Sequence, residues 1–359
     1  MTQEIEINAF IALTIGFVVF FLGQQLTKKI RFLSDYNIPE PVSGGIAVAL
    51  LTWAVYAFLD REISFDLSAR DALLVYFFTT VGLNARFSDL LRGGLPLALL
   101  LGATVAFMFL QNLVGAAAAL LWGLPSQVGV LLGTASLIGG HGTAIAWGPR
   151  IAETYNVAGA TELGVAMATM GLIVASLLGG PIAKYLVEKN NLKADPEQKA
   201  AFVIVEDDER TDQFDYVDVI RSVLVANIAI IIGYTAYVAL QEAGIMLPLF
   251  VPCLLAGIVL TNTVPFLLPK LKWPSRTPAL ALISDFSLSV FLAMSLMSMQ
   301  MWTLSGSTGL LITTTFFQAA MAALFILFIF YRLMGSNYFA AVLSAGFAGF
   351  TLGATPTAI

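Results

Sequence analysis

Ser136-Leu137-Ile138-Gly139-Gly140-His141-Gly142-Thr143-Ala144-Ile145 interrupts an otherwise apolar run. A helix facing lipid has no use for three glycines, a serine, a threonine and a histidine in such close succession. Gly-Gly-x-Gly lets the backbone turn tightly and lets a ligand approach the peptide chain. The end of the sequence repeats the pattern. Gly353-Ala354-Thr355-Pro356-Thr357-Ala358-Ile359 follows Gly139–Ile145 at an offset of 214 residues. The same offset pairs Asp71 with Asp285, each near the start of an apolar run. A nearby offset pairs Pro41 with Pro252 and brings Phe87 close to Trp302.

Composition fixes the solvent around these segments. The chain has 359 residues, 58% of them apolar and 11% charged, with a mean hydropathy of +0.86. A soluble domain carries roughly 25% charged residues to wet its surface, and a disordered chain is more polar still. Lipid is therefore the solvent of most of this chain. One cysteine, Cys253, and one histidine, His141, exclude disulfide frameworks, zinc clusters and bis-histidine haem. There is no Walker A motif, which argues against ATP-driven chemistry. A pI near 4.9 argues against nucleic acid as a partner.

Runs of about 20 apolar residues place spans at 8–26, 41–59, 72–85, 95–122, 160–187, 218–240, 247–268, 278–300 and 308–331. Segments 126–147 and 336–359 are too rich in Gly, Ser, Thr and Pro for plain spans. They are expected to be broken or re-entrant. The first span, behind an acidic tail over Met1–Glu6, lacks a basic leader and is not read as a signal peptide. If 126–147 dips in and returns, all Lys and Arg except Arg61, Arg70 and Arg150 fall on one side. The positive-inside rule then expects the N-terminus outside and the central loop, 189–217, in the cytoplasm. Glu206–Arg210 and Asp212 make that loop acidic, and it reads as a solvated linker.

These features predict an all-α polytopic membrane protein of two inverted repeats. Each repeat has five transmembrane helices and a re-entrant or broken hairpin segment. The first covers 1–188, with its break near 126–147; the second covers 218–359, with its break near 336–359. An odd number of crossings inverts the second half. Secondary transporters recur to this plan, and their broken segments meet near the bilayer midplane, lining a wet cavity. The first half continues past Ile145 into 160–187, so the repeat predicts a further span after Ile359.

Exposed N–H groups at a hairpin tip suit a carboxylate. Released carbonyls and hydroxyls suit Na⁺. Candidate substrate contacts are accordingly Gly140, His141, Gly142, Thr143, Gly353, Thr355 and Thr357. Candidate Na⁺ ligands are Ser136, Thr143, Thr355 and Thr357. Glycines that simply pack two helices are the plain alternative, and a lone histidine is more often structural than reactive. Glu162 and Asp285 are acids near span ends, candidates at membrane depth against a capping role. Asn84 could cap its span or offer its amide to a substrate. Ser295, Ser298 and Gln300 form a polar stripe. Gly115–Ala119 and Gly179-Gly180 read as helix packing, and the methionines at 294–301 as core.

Ile38–Gly45, Thr80–Ala85, Gly139–Ala144, Thr161-Glu162, Leu288–Met294 and Gly353–Ile359 together resemble the bacterial sodium/glutamate symporter family. The matching stretches are spread along nearly the whole chain. The resemblance implies Na⁺-coupled glutamate uptake across the bacterial inner membrane, with Na⁺ as coupling ion, no other cofactor and no enzymatic activity. It implies two inverted five-helix domains with dipping hairpins, and a homodimer in the lipid bilayer. The family need not carry an acid at Asp285. Alternating access, with one domain sliding elevator-like against the other, follows by analogy. Rivals are a carrier of another anion such as citrate, Na⁺/H⁺ exchange, and an ion channel. An intramembrane enzyme would need a nucleophile–base pair, which one histidine does not supply.

Overall fold

The computed structural model describes residues 3–35, 38–88, 94–192, 215–245, 247–304 and 306–353. Strand β1 (Gln3–Ile7) leads into α1 (Ala9–Lys29), α2 (Arg31–Asp35) and α3 (Glu40–Leu59). Strand β2 (Arg61–Phe65), α4 (Ser68–Asn84) and α5 (Gly94–Leu121) follow. A 3₁₀ turn over Ser126–Val130 precedes α6 (Thr134–Leu137), α7 (Gly140–Tyr155) and α8 (Ala160–Lys189). The remaining helices are α9 (Tyr216–Glu242), α10 (Phe250–Leu267), α11 (Pro278–Met297), α12 (Thr308–Leu333) and α13 (Tyr338–Gly353).

Each expected span has its helix. Among the described residues, eight are long and apolar enough to cross a membrane: α1, α3, α5, α8, α9, α10, α11 and α12. The chain is an all-α polytopic membrane protein apart from one small sheet. Helix α4 occupies the ninth expected span; its 17 residues reach about 26 Å. Helix α11 ends at Met297, three residues short of the expected span, and Ser298 caps it. Ser295, Ser298 and Gln300 therefore do not share one helical face. The two expected broken segments differ from each other: 126–147 is interrupted twice, whereas the start of 336–359 is the continuous helix α13.

The acidic N-terminal tail is a strand over most of its length. Glu4-Ile5-Glu6-Ile7 alternates with period two, the signal of a half-buried strand. It pairs in parallel with β2, in register from Gln3 opposite Arg61 to Ile7 opposite Phe65. The Ile7 carbonyl then accepts from the Asp66 N–H at 2.9 Å. Asp66 in turn accepts the Ser68 N–H at 2.9 Å, which holds its exposed carboxyl below its ordinary pKa.

The chain forms two compact units. The first comprises Met1–Gln24, Glu40–Arg92 and Glu209–Ser298. Its helices approach closely because glycines face backbone. A Cβ on Gly23 would lie 1.8 Å from the Glu40 carbonyl oxygen, and one on Gly44 2.0 Å from that of Val19. Lipid offers no hydrophobic drive between helices, so such close van der Waals contact does the work of association. Val19, Val290, Met294 and Met297 fill the core nearby, in line with a packing role for the methionines. Helix α4 is tied to α10 by Thr261, which donates to the Leu83 carbonyl at 2.7 Å, and by Asn262, which donates to that of Ala85 at 2.8 Å.

The second unit comprises Gln25–Pro39, Gly93–Asp208 and Met299–Ile359. Its core stacks Phe330 on Phe347 at 4.1 Å between centroids and sets Phe107 against Phe325 at 5.1 Å. Gly115 meets the Gly129 carbonyl, where a Cβ would lie 2.2 Å from the oxygen. The small run 115–119 thus packs α5 on the broken segment. Each unit draws on both halves of the sequence: three spans from each in the first, and in the second a span followed by a Gly-rich segment from each, with α8 besides from the first half.

Candidate functional site

Helix α8 is the wall on which the Gly-rich segments of the second unit pack. Gly164, Ala168, Gly171 and Ala175 are all buried and recur at spacings of four and three, forming one small-residue face. The interrupted segment lies on this face. Its backbone leaves α6 at Leu137, passes Ile138-Gly139 and enters α7 at Gly140 with φ +71°, a conformation that favours glycine. A Cβ on Gly164 would stand 3.3 Å from Ser136 Oγ, and one on Gly171 2.6 Å from Leu137 Cδ2. The end of α13 reaches the same residue: the Leu352 carbonyl oxygen would be 2.2 Å from a Gly171 Cβ. Gly171 is thus touched by both Gly-rich segments.

Breaking a helix away from water frees backbone groups that must find partners. Amide side chains in the neighbouring spans provide them. Asn112 Oδ1 accepts from Thr134 N–H at 3.1 Å and from its hydroxyl at 2.8 Å. Gln318 Nε2 donates to the Leu132 carbonyl at 3.1 Å and to that of Gln111 at 2.9 Å. Gln111 Nε2 donates to the Thr351 carbonyl of α13 at 2.8 Å. Gln111 and Gln318 are fully buried. Because their NH₂ groups face carbonyls, their orientation is fixed and each Oε1 is left without a donor among the described residues. Thr314 Oγ1, one turn from Gln318 on α12, is likewise buried without a partner among the described residues.

The candidate residues separate into distinct roles. Ser136 is buried and donates to the Leu131 carbonyl; Thr143, half-buried, donates to that of Gly139 at 3.0 Å. Each hydroxyl proton is committed, so each oxygen presents only lone pairs. His141 is buried, with Nε2 3.0 Å from Thr169 Oγ1. Thr169 donates its own proton to the Val165 carbonyl. It therefore accepts from Nε2–H, and a neutral ring keeps Nδ1 as its acceptor. Gly140 is buried and Gly142 half-buried at the start of α7. Glu162, in the first turn of α8, accepts the Gln300 N–H at 3.4 Å. Gly353 is buried at the end of α13; Thr355 and Thr357 lie outside the described residues.

Asn84 belongs to the first unit. Its Oδ1 accepts the Arg276 N–H at 2.9 Å, fastening the end of α4 to the turn before α11. Asp285 is exposed on α11, also in the first unit. Gln111, Asn112, Gln318 and Thr314 escaped the sequence reading. Two adjacent amides inside α5 and a lone one inside α12 were the available signal, since polar groups at membrane depth are rare and functional by default.

A profile of the Sodium/glutamate symporter family matches residues 5–359. The sodium/glutamate symporter of Haemophilus influenzae strain Rd is 36% identical over 352 residues, covering 97% of this chain and 86% of that protein. Those of Escherichia coli K12 and Shigella flexneri are each 37% identical over 345 residues, covering 94% of this chain and 84% of theirs. A match from Ile5 in β1 to the last residue, over both Gly-rich segments and the amide-bearing spans α5 and α12, makes this chain a member of the sodium/glutamate symporter family.

Proposed function

We propose that this chain carries glutamate, coupled to Na⁺, into the cell across the bacterial inner membrane by alternating access. Membership of the family supports both ion and substrate. The observation that carries the location is the meeting of the two Gly-rich segments at Gly171. There, first-turn N–H groups of α7 at Gly140–Gly142 lack intrahelical acceptors and suit a carboxylate. The lone pairs of Ser136 and Thr143 suit Na⁺, as would the hydroxyls of Thr355 and Thr357. The oxygens of Gln111, Gln318 and Thr314, without a partner among the described residues, add neutral acceptors for a cation or the substrate ammonium. His141 and Gly353 shape this site, and Glu162 sits at its edge.

Inverted repeats are supported by the shared order of elements: three spans in one unit, then a span and a Gly-rich segment in the other, from each half. Two units of this composition suit an elevator-like movement of the second against the first, with the first in a homodimer. Re-entrant hairpins, an external N-terminus and a cytoplasmic linker fit the distribution of Lys and Arg. Coupling requires that the fully loaded and the empty sites cross readily and the half-loaded site poorly. A membrane potential of 100 mV contributes about 2.3 kcal/mol per charge moved.

Purified protein in liposomes tests this. Radiolabelled glutamate should accumulate only with an inward Na⁺ gradient. Equal accumulation with K⁺ in place of Na⁺ defeats the proposal.

A further inference from the structure

At the far end of α8 from Glu162, the second unit holds a cavity of about 240 Å³ between the ends of α8 and α12. Its nine lining residues include Lys189 and Arg332 and no carboxylate. Among the described residues neither cation has an ion pair. Glu188, the nearest acid in sequence, faces Lys184 at 3.8 Å instead. Lys189 Nζ donates to Tyr185 Oη at 2.8 Å and lies 5.0 Å from the ring centre, which holds the ammonium over the cavity. The Tyr185 hydroxyl proton and the Ser336 hydroxyl have no acceptor among the described residues. Beneath this cationic rim the wall is apolar, with Leu186, Leu327 and an exposed Phe328.

We propose that this cavity binds the headgroup phosphate of an anionic phospholipid. Two cations without an ion pair among the described residues, and two hydroxyl donors, match a phosphodiester with non-bridging oxygens. The apolar wall continues the site along the path of an acyl chain, which a soluble phosphate would not need. Basic pockets between spans at the membrane edge recognise such headgroups in this way. Lysine and arginine placed only to offset helix C-terminal dipoles would need neither the hydroxyls nor the hydrophobic wall.

Native mass spectrometry of the purified full chain, exchanged into phosphatidylglycerol or phosphatidylcholine, tests the assignment. The wild type should retain phosphatidylglycerol in preference. Each basic residue near a membrane surface is worth about fivefold in affinity, so Lys189→Gln with Arg332→Gln should lower the preference about thirtyfold. Lys189→Arg with Arg332→Lys should keep it, which separates charge from misfolding. Lys28→Gln with Lys29→Gln removes two charges elsewhere and should also keep it. An undiminished preference in K189Q/R332Q, or a loss as large in K28Q/K29Q, overturns the proposal. So does full displacement of the lipid by millimolar glycerol phosphate, which would make this a site for soluble phosphate.

Discussion

Gly171→Ala adds one methyl group at the junction of the two Gly-rich segments. The new Cβ would lie 2.2 Å from the Leu352 carbonyl oxygen and 2.6 Å from Leu137 Cδ2. Leu137 can rotate away, but a backbone carbonyl cannot. A comfortable C···O contact is about 3.3 Å, so α8 and α13 must separate by about 1.1 Å. The Gln111–Thr351 bond, now 2.8 Å, would open toward about 3.9 Å if the movement ran along it, beyond hydrogen-bond range. Overpacking costs about 1–3 kcal/mol, and a carbonyl left without its donor about 1–3 more. Alanine's better helix propensity returns about 1 kcal/mol. The same substitution elsewhere on α8 is the control. A Cβ on Gly179 meets only the Ala345 carbonyl at 3.4 Å, an ordinary contact, and one on Gly180 meets nothing within 4 Å. Na⁺-driven glutamate uptake in liposomes and the thermal midpoint in detergent should both fall in G171A, uptake by at least about tenfold. G180A should match the wild type, and G179A should lie near it. Wild-type uptake and stability in G171A would show that the two segments do not depend on this contact.

Thr143→Val removes a lone-pair oxygen while keeping shape, and should raise the Na⁺ concentration for half-maximal uptake several-fold; Thr143→Ser should restore it. Gln318→Leu leaves the Leu132 and Gln111 carbonyls without that donor and should destabilise by about 2 kcal/mol, read as a lower thermal midpoint, whereas exposed Gln241→Leu should change little. His141→Phe breaks the bond to Thr169 and should lower uptake, with His141→Gln retaining more of it. Asp66 has a depressed carboxyl pKa, so its contribution to stability is present above its ordinary value of 3.8 and lost as the pH falls through its lower folded value. Asp66→Ala should therefore lower the thermal midpoint near neutral pH and leave it closer to wild type in acid.

The spans were legible because apolar runs in lipid need no tertiary context. Helix α1 from Ala9 and α8 from Ala160 begin within a residue of where hydropathy puts them. The break at Ile138-Gly139 was equally plain, since glycine clusters announce it. The partners of the break were not. Gln111 and Gln318 lie far apart in sequence within strongly apolar helices, and only the fold brings the Gln318 amide to the Gln111 carbonyl. Asn84 shows the converse. Its type and place permitted a ligand, but its oxygen is occupied by the Arg276 N–H. The strand at Gln3–Ile7 carried a period-two pattern that its acidic residues obscured.

The chemistry around Gly171 has a consequence for coupling. The groups that hold the broken backbone are neutral amides and hydroxyls: Gln111, Asn112, Gln318, Ser136 and Thr143. Among the described residues there is no cluster of three or more His, Cys, Asp and Glu side chains. A host made of dipoles has little fixed charge, so the charge of the loaded site is essentially that of its cargo. Transferring net charge through the bilayer interior is expensive. Glutamate alone would leave such a site negative, and Na⁺ alone would leave it positive. Only with both bound do their charges offset each other. Coupling of the kind proposed then needs no titrating residue, because the low dielectric itself penalises the half-loaded carrier. Glu162 is compatible with this only because it sits at the first turn of α8, where the helix dipole and the Gln300 N–H offset its charge at the edge of the site.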